Sequence, residues 1–104
     1  MPKVALVTGA NGGIGSAIAR NLLEDPETTV YLAVRNNREV ADQIVAVCPE
    51  RARILQLDVC SPEAWTKAAE QIVSENERLD ILVNNAGGHR DGLLATLPPE
   101  DWKM

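Results

Sequence analysis

Four glycines fall within seven positions in Gly9-Ala10-Asn11-Gly12-Gly13-Ile14-Gly15, directly after the apolar run Val4-Ala5-Leu6-Val7 and Thr8. Glycine lets bare backbone come close to another group. The amides that open a helix have no acceptor inside it. Such an end attracts an anion, and a phosphate above all. A glycine-rich loop that leaves a strand and enters a helix is therefore a cradle for a nucleotide's phosphates. Gly9, Gly13 and Gly15 fit T-G-x-x-x-G-x-G, a longer loop than G-x-G-x-x-G. It is not a P-loop, because no lysine followed by serine or threonine stands where the phosphates would need it.

A second group of residues bears on which nucleotide. In a dinucleotide fold the adenosine ribose lies at the end of the second strand, where an acid takes the 2′-hydroxyl of NAD. Here Val34-Arg35 stands in that place, Arg38 follows closely, and no carboxylate occurs before Glu39. Arginine matches phosphate geometry and keeps its charge. A hydrogen bond to a charged group would favour NADP over NAD roughly ten- to a hundredfold. The alternative is an arginine solvated in a surface turn. Asp58, in Leu57-Asp58-Val59, has two readings of equal standing. Its carboxylate accepts from the adenine amino group while Val59 packs beside the ring, or it caps nearby amides in a turn.

These residues need a frame to position them, and the pattern along the chain supplies one. Strands and helices alternate, the mark of an α/β fold with a parallel sheet. The first strand is about Lys3 to Val7, and the first helix about Gly13 to Glu24, with Ile14, Ala17, Ile18 and Leu22 at helical spacing as its inner face. Asp25-Pro26 stops it. A second strand spans about Thr29 to Val34, a helix about Arg38 to Val47 with Val40, Ile44 and Val47 inward, and a third strand about Arg53 to Leu57. Ser61-Pro62-Glu63 opens the next helix, with serine as cap and proline in the first helical position. The fourth strand is about Asp80 to Val83, the turn Asn84 to Gly88 follows, and a last helix is expected near Pro99.

Right-handed crossovers give the strand order 3-2-1-4 in a Rossmann-like doubly wound sheet. Ligands bind where that order reverses, between the first and fourth strands. The glycine loop and the Asn84 to Gly88 turn both border the reversal.

Bulk composition narrows the function classes. The chain has 104 residues, one domain over residues 1–104, with 45% hydrophobic and 24% charged residues. A domain of this size buries somewhat over about 60% of its unfolded surface. The net charge of -5 argues against binding nucleic acid or an anionic membrane. No apolar run reaches the roughly 20 residues of a membrane span. Met1-Pro2-Lys3 leads straight into a strand, so no signal peptide and a cytoplasmic location are expected. Cys48 and Cys60 have no metal-like spacing and read as small apolar residues in a reducing compartment. The single histidine, His89, gives no basis for a zinc site or a triad.

Taken together, Thr8 through Gly15, Asp58-Val59 and Asn84-Asn85-Ala86-Gly87 resemble the short-chain dehydrogenase/reductase family over nearly the whole chain. Asn84 through Trp102, with Arg90-Asp91-Gly92-Leu93-Leu94, is most similar to the 3-oxoacyl-carrier-protein reductase branch. The resemblance implies that Gly9, Ala10, Asn11, Gly12, Gly13 and Ile14 cradle the phosphates of NADP. It further implies that Arg35 selects NADP, that Asp58 and Val59 hold the adenine, and that Asn85, with Ala86 and Gly87, helps seat the adenosine ribose side. NADP-preferring relatives often carry a basic residue before the second glycine of the motif. Gly12 stands there, so the NADP reading rests on Arg35 and Arg38.

The family's chemistry uses a tyrosine acid/base, a lysine four positions later, a serine and a helix asparagine, all in the second half of its fold. The single tyrosine, Tyr31, lies in the second strand and is followed four positions on by Arg35. It is read as a strand residue, and no catalytic residue is assigned. His89, Arg90 and Asp91 read as an exposed loop with a local ion pair. The expected function is the cofactor-binding portion of an NADP-dependent oxidoreductase that reduces a carbonyl, such as a 3-oxoacyl thioester, to a hydroxyl. The resemblance adds a small-molecule substrate and a homo-oligomer for the complete enzyme. The alternatives are a non-catalytic dinucleotide-binding or interaction module, or one part of a split enzyme. With further strands missing, the fourth strand is expected to form an uncovered sheet edge, which invites self-association.

Overall fold

The computed structural model describes residues 2–84 and 93–96. The elements run β1 (Lys3–Thr8), α1 (Gly13–Leu22), β2 (Thr28–Val34), α2 (Glu39–Val47), β3 (Ala52–Gln56), α3 (Pro62–Asn76), β4 (Ile81–Asn84) and β5 (Leu93–Thr96). They form one sheet in the order β3-β2-β1-β4-β5. β1 pairs in parallel with β2 and with β4, and β2 pairs in parallel with β3. The 3-2-1-4 order expected from the sequence is therefore present, with the reversal between β1 and β4.

Successive strand side chains face opposite sides of a sheet, and here both sides are covered. Ala5, Val7, Val30, Leu32 and Val34 face α1 and α2, where Ala19, Ala41 and Ile44 are buried against them. Val4, Leu6, Tyr31 and Ala33 face α3, where Ala68 and Ile72 close the other layer with Leu79. This is why β1 and β2 read as near-continuous apolar runs. Each fully buried Val, Leu or Ile contributes about 1.5–3 kcal/mol relative to exposure.

Two helix faces differ from expectation. In α1 the buried residues are Gly15, Ser16 and Ala19, with Leu23 just beyond the last turn. Ile14 is 68% exposed, and Ala17 is exposed too. The smallest side chains line the contact and let α1 lie close to the sheet, so the larger apolar residues fall beside that stripe. In α2 the inner positions are Ala41 and Ile44, flanked by Val40, Val45 and Cys48. Val47 lies off that stripe and is 86% exposed.

The end of α1 also comes earlier than Glu24. The amides of Glu24 and Asp25 bond back only three residues, to the carbonyls of Asn21 and Leu22. Asp25 then opens a turn, its carboxylate accepting from the Glu27 amide at 3.0 Å and the Thr28 hydroxyl at 3.1 Å. Those two bonds hold the Asp25 carboxyl below its ordinary pKa.

β4 is not an edge. β5 pairs antiparallel to it, with Leu82 opposite Ala95 and Val83 opposite Leu94. The strand expected to lie bare is covered by Leu93–Thr96, a segment the sequence pattern assigns to no element. The helix expected near Pro99 lies outside the described residues.

Candidate functional site

Four strands deliver their carboxyl ends to one side of the sheet, and the described candidate residues follow those ends. At the end of β1, Gly9 turns the chain with φ 64°, a backbone conformation that glycine adopts without strain. The Ala10 amide then donates to the carbonyl of Ala33 in β2 at 3.3 Å, and the Gly12 amide donates back to Gly9 at 3.1 Å. Asn11 reaches further, its Oδ1 accepting from the Val40 amide in the first turn of α2 at 2.7 Å. The loop is thereby fixed to both β2 and α2.

The start of α1 is left open. Gly12 occupies the N-cap without a side-chain cap, and the first turn carries no acidic residue. Among the described residues the amides of Gly13, Ile14 and Gly15 have no acceptor; the first amide to find one is that of Ser16, on the Gly12 carbonyl at 2.9 Å. The neighbouring helices are finished differently. In α2 the Glu39 amide bonds Asn37 Oδ1 at 3.0 Å beside the Asn11–Val40 bond. In α3 the Ala64 amide bonds Ser61 Oγ at 3.2 Å.

A Cβ built on Gly13 would meet nothing within 4 Å, and one on Gly12 would make only an ordinary 3.5 Å contact with the Gly9 carbonyl. The protein's own packing therefore does not demand glycine at either position. Their bareness keeps space open over the amides, beside the exposed Ile14. A diphosphate fits this cradle in charge, in hydrogen-bonding sense and in room.

At the end of β2, Arg35 is exposed. Its carbonyl accepts from Gln56 Nε2 at 3.1 Å, and among the described residues its guanidinium has no partner. Arg38 is engaged, with Nε 3.1 Å from Asp42 Oδ1 one turn along α2, both side chains more than half exposed. Such a pair contributes only about 0.3–0.5 kcal/mol. Among the described residues Arg35 is thus the unpaired cation of the link between β2 and α2.

After β3, Asp58 does what a turn aspartate does: Oδ1 accepts from the Cys60 amide at 3.0 Å, and its carbonyl accepts from the Ser61 amide at 3.0 Å. Its Oδ2 has no partner among the described residues. Val59 is held in place, its carbonyl accepting from Trp65 Nε1 at 2.8 Å.

The end of β4 is tied to that of β1 by Thr8, which is fully buried. Its Oγ1 lies 3.3 Å from the Val83 carbonyl and 3.2 Å from Asn84 Oδ1. Asn85, Ala86 and Gly87, and the loop residues His89, Arg90 and Asp91, lie outside the described residues.

Tyr31 is far from this edge in chemical terms. It is 1% exposed against α3. Its hydroxyl donates to Glu75 Oε1 and accepts from Asn76 Nδ2 at 2.8 Å. Burial first, and then the Glu75 acceptor, push its pKa up. Both the position and the raised pKa suit a structural residue rather than an acid/base.

Away from the cleft, a cavity of about 370 Å³ lies between the last turns of α1 and α2, lined by Arg20, Leu23, Glu24, Ile44, Val47, Cys48 and Arg51. Arg51 is committed there, donating to the carbonyls of Leu23, Asp25 and Thr28. Among the described residues no three His, Cys, Asp or Glu side chains gather to hold a metal ion, and no helix is long and apolar enough to cross a membrane.

Thr8 and Asn11 were not foreseen as braces. Asn11 and Val40 lie 29 positions apart, and no short-range spacing rule links them.

Known proteins match this arrangement closely. A 3-oxoacyl-[acyl-carrier-protein] reductase from Aquifex aeolicus is 37% identical over 103 residues, which is 97% of this chain and 42% of that protein. The crystal structure of a short-chain dehydrogenase from Streptomyces avermitilis superposes with a TM-score of 0.77 at 40% identity, over 84% of this chain and 31% of the other. A short chain dehydrogenase from Burkholderia cenocepacia, solved in complex with NADP, superposes with a TM-score of 0.74 at 40% identity, over 85% of this chain and 37% of the other. The chain thus spans about 42% of the length of the first of these relatives. The family model described as short chain dehydrogenase matches residues 3–104. With its sheet order, its open α1 terminus and this match in agreement, the chain belongs to the short chain dehydrogenase family.

Proposed function

We propose that this chain binds NADP and forms the cofactor-binding portion of an oxidoreductase that reduces a carbonyl, of the 3-oxoacyl thioester class, to a hydroxyl. One observation carries the reading: the amides of Gly13, Ile14 and Gly15 and the exposed Arg35, none of them with a partner among the described residues, follow the carboxyl ends of the neighbouring strands β1 and β2. The amides take the diphosphate, with Gly9 to Gly12 shaping the approach and Ile14 covering it. Arg35 takes the 2′-phosphate that distinguishes NADP from NAD. Oδ2 of Asp58, without a partner among the described residues, accepts from the adenine amino group while Oδ1 keeps its turn bond, so the two roles are compatible. Val59 lines the ring, and Asn85, Ala86 and Gly87 close the ribose side. When bound, the nicotinamide supplies the hydride. This chain's part is to bind and orient the dinucleotide. Similarity to the Aquifex reductase supports the substrate class, and the NADP-bound Burkholderia structure supports the cofactor.

Arg35→Asp tests the reading. It replaces a phosphate-binding cation by a group suited to a free 2′-hydroxyl. NADPH affinity should fall roughly ten- to a hundredfold while NADH affinity rises. Unchanged relative binding of the two nucleotides would contradict it.

A further inference from the structure

We infer that Asn11 is a positioning residue for cofactor discrimination, acting through its bond to the Val40 amide rather than through the nucleotide. The inference rests on the assignment of Arg35 to the 2′-phosphate. Arg35 lies in the short link from β2 to α2, residues 35–38, between the last residue of β2 and the first of α2. Both ends of this link are tied to the glycine loop. Upstream, the Ala33 carbonyl in β2 accepts from the Ala10 amide at 3.3 Å. Downstream, the Val40 amide donates to Asn11 Oδ1 at 2.7 Å. Ala10 and Asn11 are consecutive, so one dipeptide spans both anchor points.

The phosphate cradle and the 2′-phosphate arginine are therefore held in fixed relation by two bonds. The first belongs to the backbone and would survive any side chain at position 10. The second exists only because residue 11 presents a carbonyl oxygen at that reach. Within the link, Asn37 Oδ1 accepts from the Glu39 amide at 3.0 Å and Arg38 is paired to Asp42. Neither bond refers the link to the loop; among the described residues, the tie from the first turn of α2 to the loop is the Asn11 one.

Loss of this bond frees the α2 end of the link and with it Arg35. A diphosphate still finds the α1 amides, so NADH binding changes little. The 2′-phosphate loses a preset partner, so NADPH binding suffers selectively. A residue that served only the stability of the fold would weaken both nucleotides together.

The test uses the full chain and the probes NADPH and NADH, with binding read by calorimetry. Two variants break the same bond from opposite sides. Asn11→Ala removes the acceptor. Val40→Pro removes the donor at a first-turn position where proline is tolerated, and it leaves Asn11 in place. Each should lower the NADPH-over-NADH affinity ratio by about tenfold, the double variant should be no worse than either single one, and NADH affinity should stay within about threefold. An unchanged ratio, an equal loss for both nucleotides, or a loss with Asn11→Ala but not with Val40→Pro would overturn the proposal. The last result would mean that Asn11 acts by touching the nucleotide. Hydrogen exchange in the unmodified chain needs no variant: NADPH should slow exchange of the Val40 amide more than NADH does, and equal protection by both would also overturn it. If the unmodified chain shows no preference for NADPH, the Arg35 assignment fails; if it shows the preference and the ratio does not move, only the Asn11 proposal fails.

Discussion

Asp80 precedes β4 and holds it to the start of β1. Its Oδ2 accepts from the Val4 amide at 2.8 Å and from Arg78 Nε at 2.8 Å, and Oδ1 accepts from Arg78 Nη2 at 2.7 Å. The Asp80 amide returns a bond to the Val4 carbonyl at 2.8 Å. Burial pushes this carboxyl up, but the Arg78 guanidinium and the Val4 amide together outweigh it and hold its pKa below the ordinary carboxylate value. A lowered pKa means that the folded state favours the ionised form. The stabilisation is complete above the ordinary carboxylate range and is lost as pH falls through the folded value. Asp80→Ala should therefore cost about 1.5–3 kcal/mol at neutral pH, read by urea unfolding, and the difference from the parent should shrink at about pH 3. A constant difference at both pH values would contradict the assignment. At this scale the sequence was legible where residue type and position carry the meaning. Arg35 stands where an acid was the alternative, and Tyr31 lacks its lysine four positions on. Thr8 and Asn11 act through partners 76 and 29 positions away, and Asp80, besides its neighbour Arg78, holds the Val4 amide 76 positions away; nothing local announces these long-range bonds.

Helices and strands were legible in type because their periodicities are strong, and their faces were less so. Ile14 and Ala17 share a helical stripe with Ile18 and Leu22, yet the sheet takes Gly15, Ser16 and Ala19. Close approach favoured the small residues over the apolar ones, a choice made by tertiary packing. Ile14 is left at the mouth of the cradle, where a ligand can cover it. β5 escaped notice because Leu93–Thr96 is short and follows a glycine-rich stretch; its pairing to β4 comes from the neighbouring strand and not from its own pattern. The end of α3 was not read from the sequence. Glu77 terminates the helix in the left-handed region at φ 63°, with its amide bonded to the Val73 carbonyl. Glycine is the usual residue in that conformation. Glu77→Gly should therefore raise stability by about 0.5–1 kcal/mol, measured as a higher melting temperature without change in nucleotide affinity. A lower melting temperature would show that the Glu77 side chain contributes more than its backbone strain costs.

In the molecule as a whole, two apolar layers fix a sheet whose order reverses between β1 and β4, and the described candidate ligand-binding residues follow the carboxyl ends of β1, β2 and β3. The net charge of -5 repels a dinucleotide at long range, so in the proposed reading attraction comes from local groups, which among the described residues are three amides and one arginine. The account turns on those amides. Titrating the isotope-labelled chain with NADPH, and following each backbone amide by NMR, tests it most directly. The account predicts that the largest shifts fall on Gly13, Ile14 and Gly15, with smaller ones at Arg35 and Asp58. Saturating NADPH that left these signals unmoved in folded protein, or moved instead those lining the cavity between the ends of α1 and α2, would contradict it.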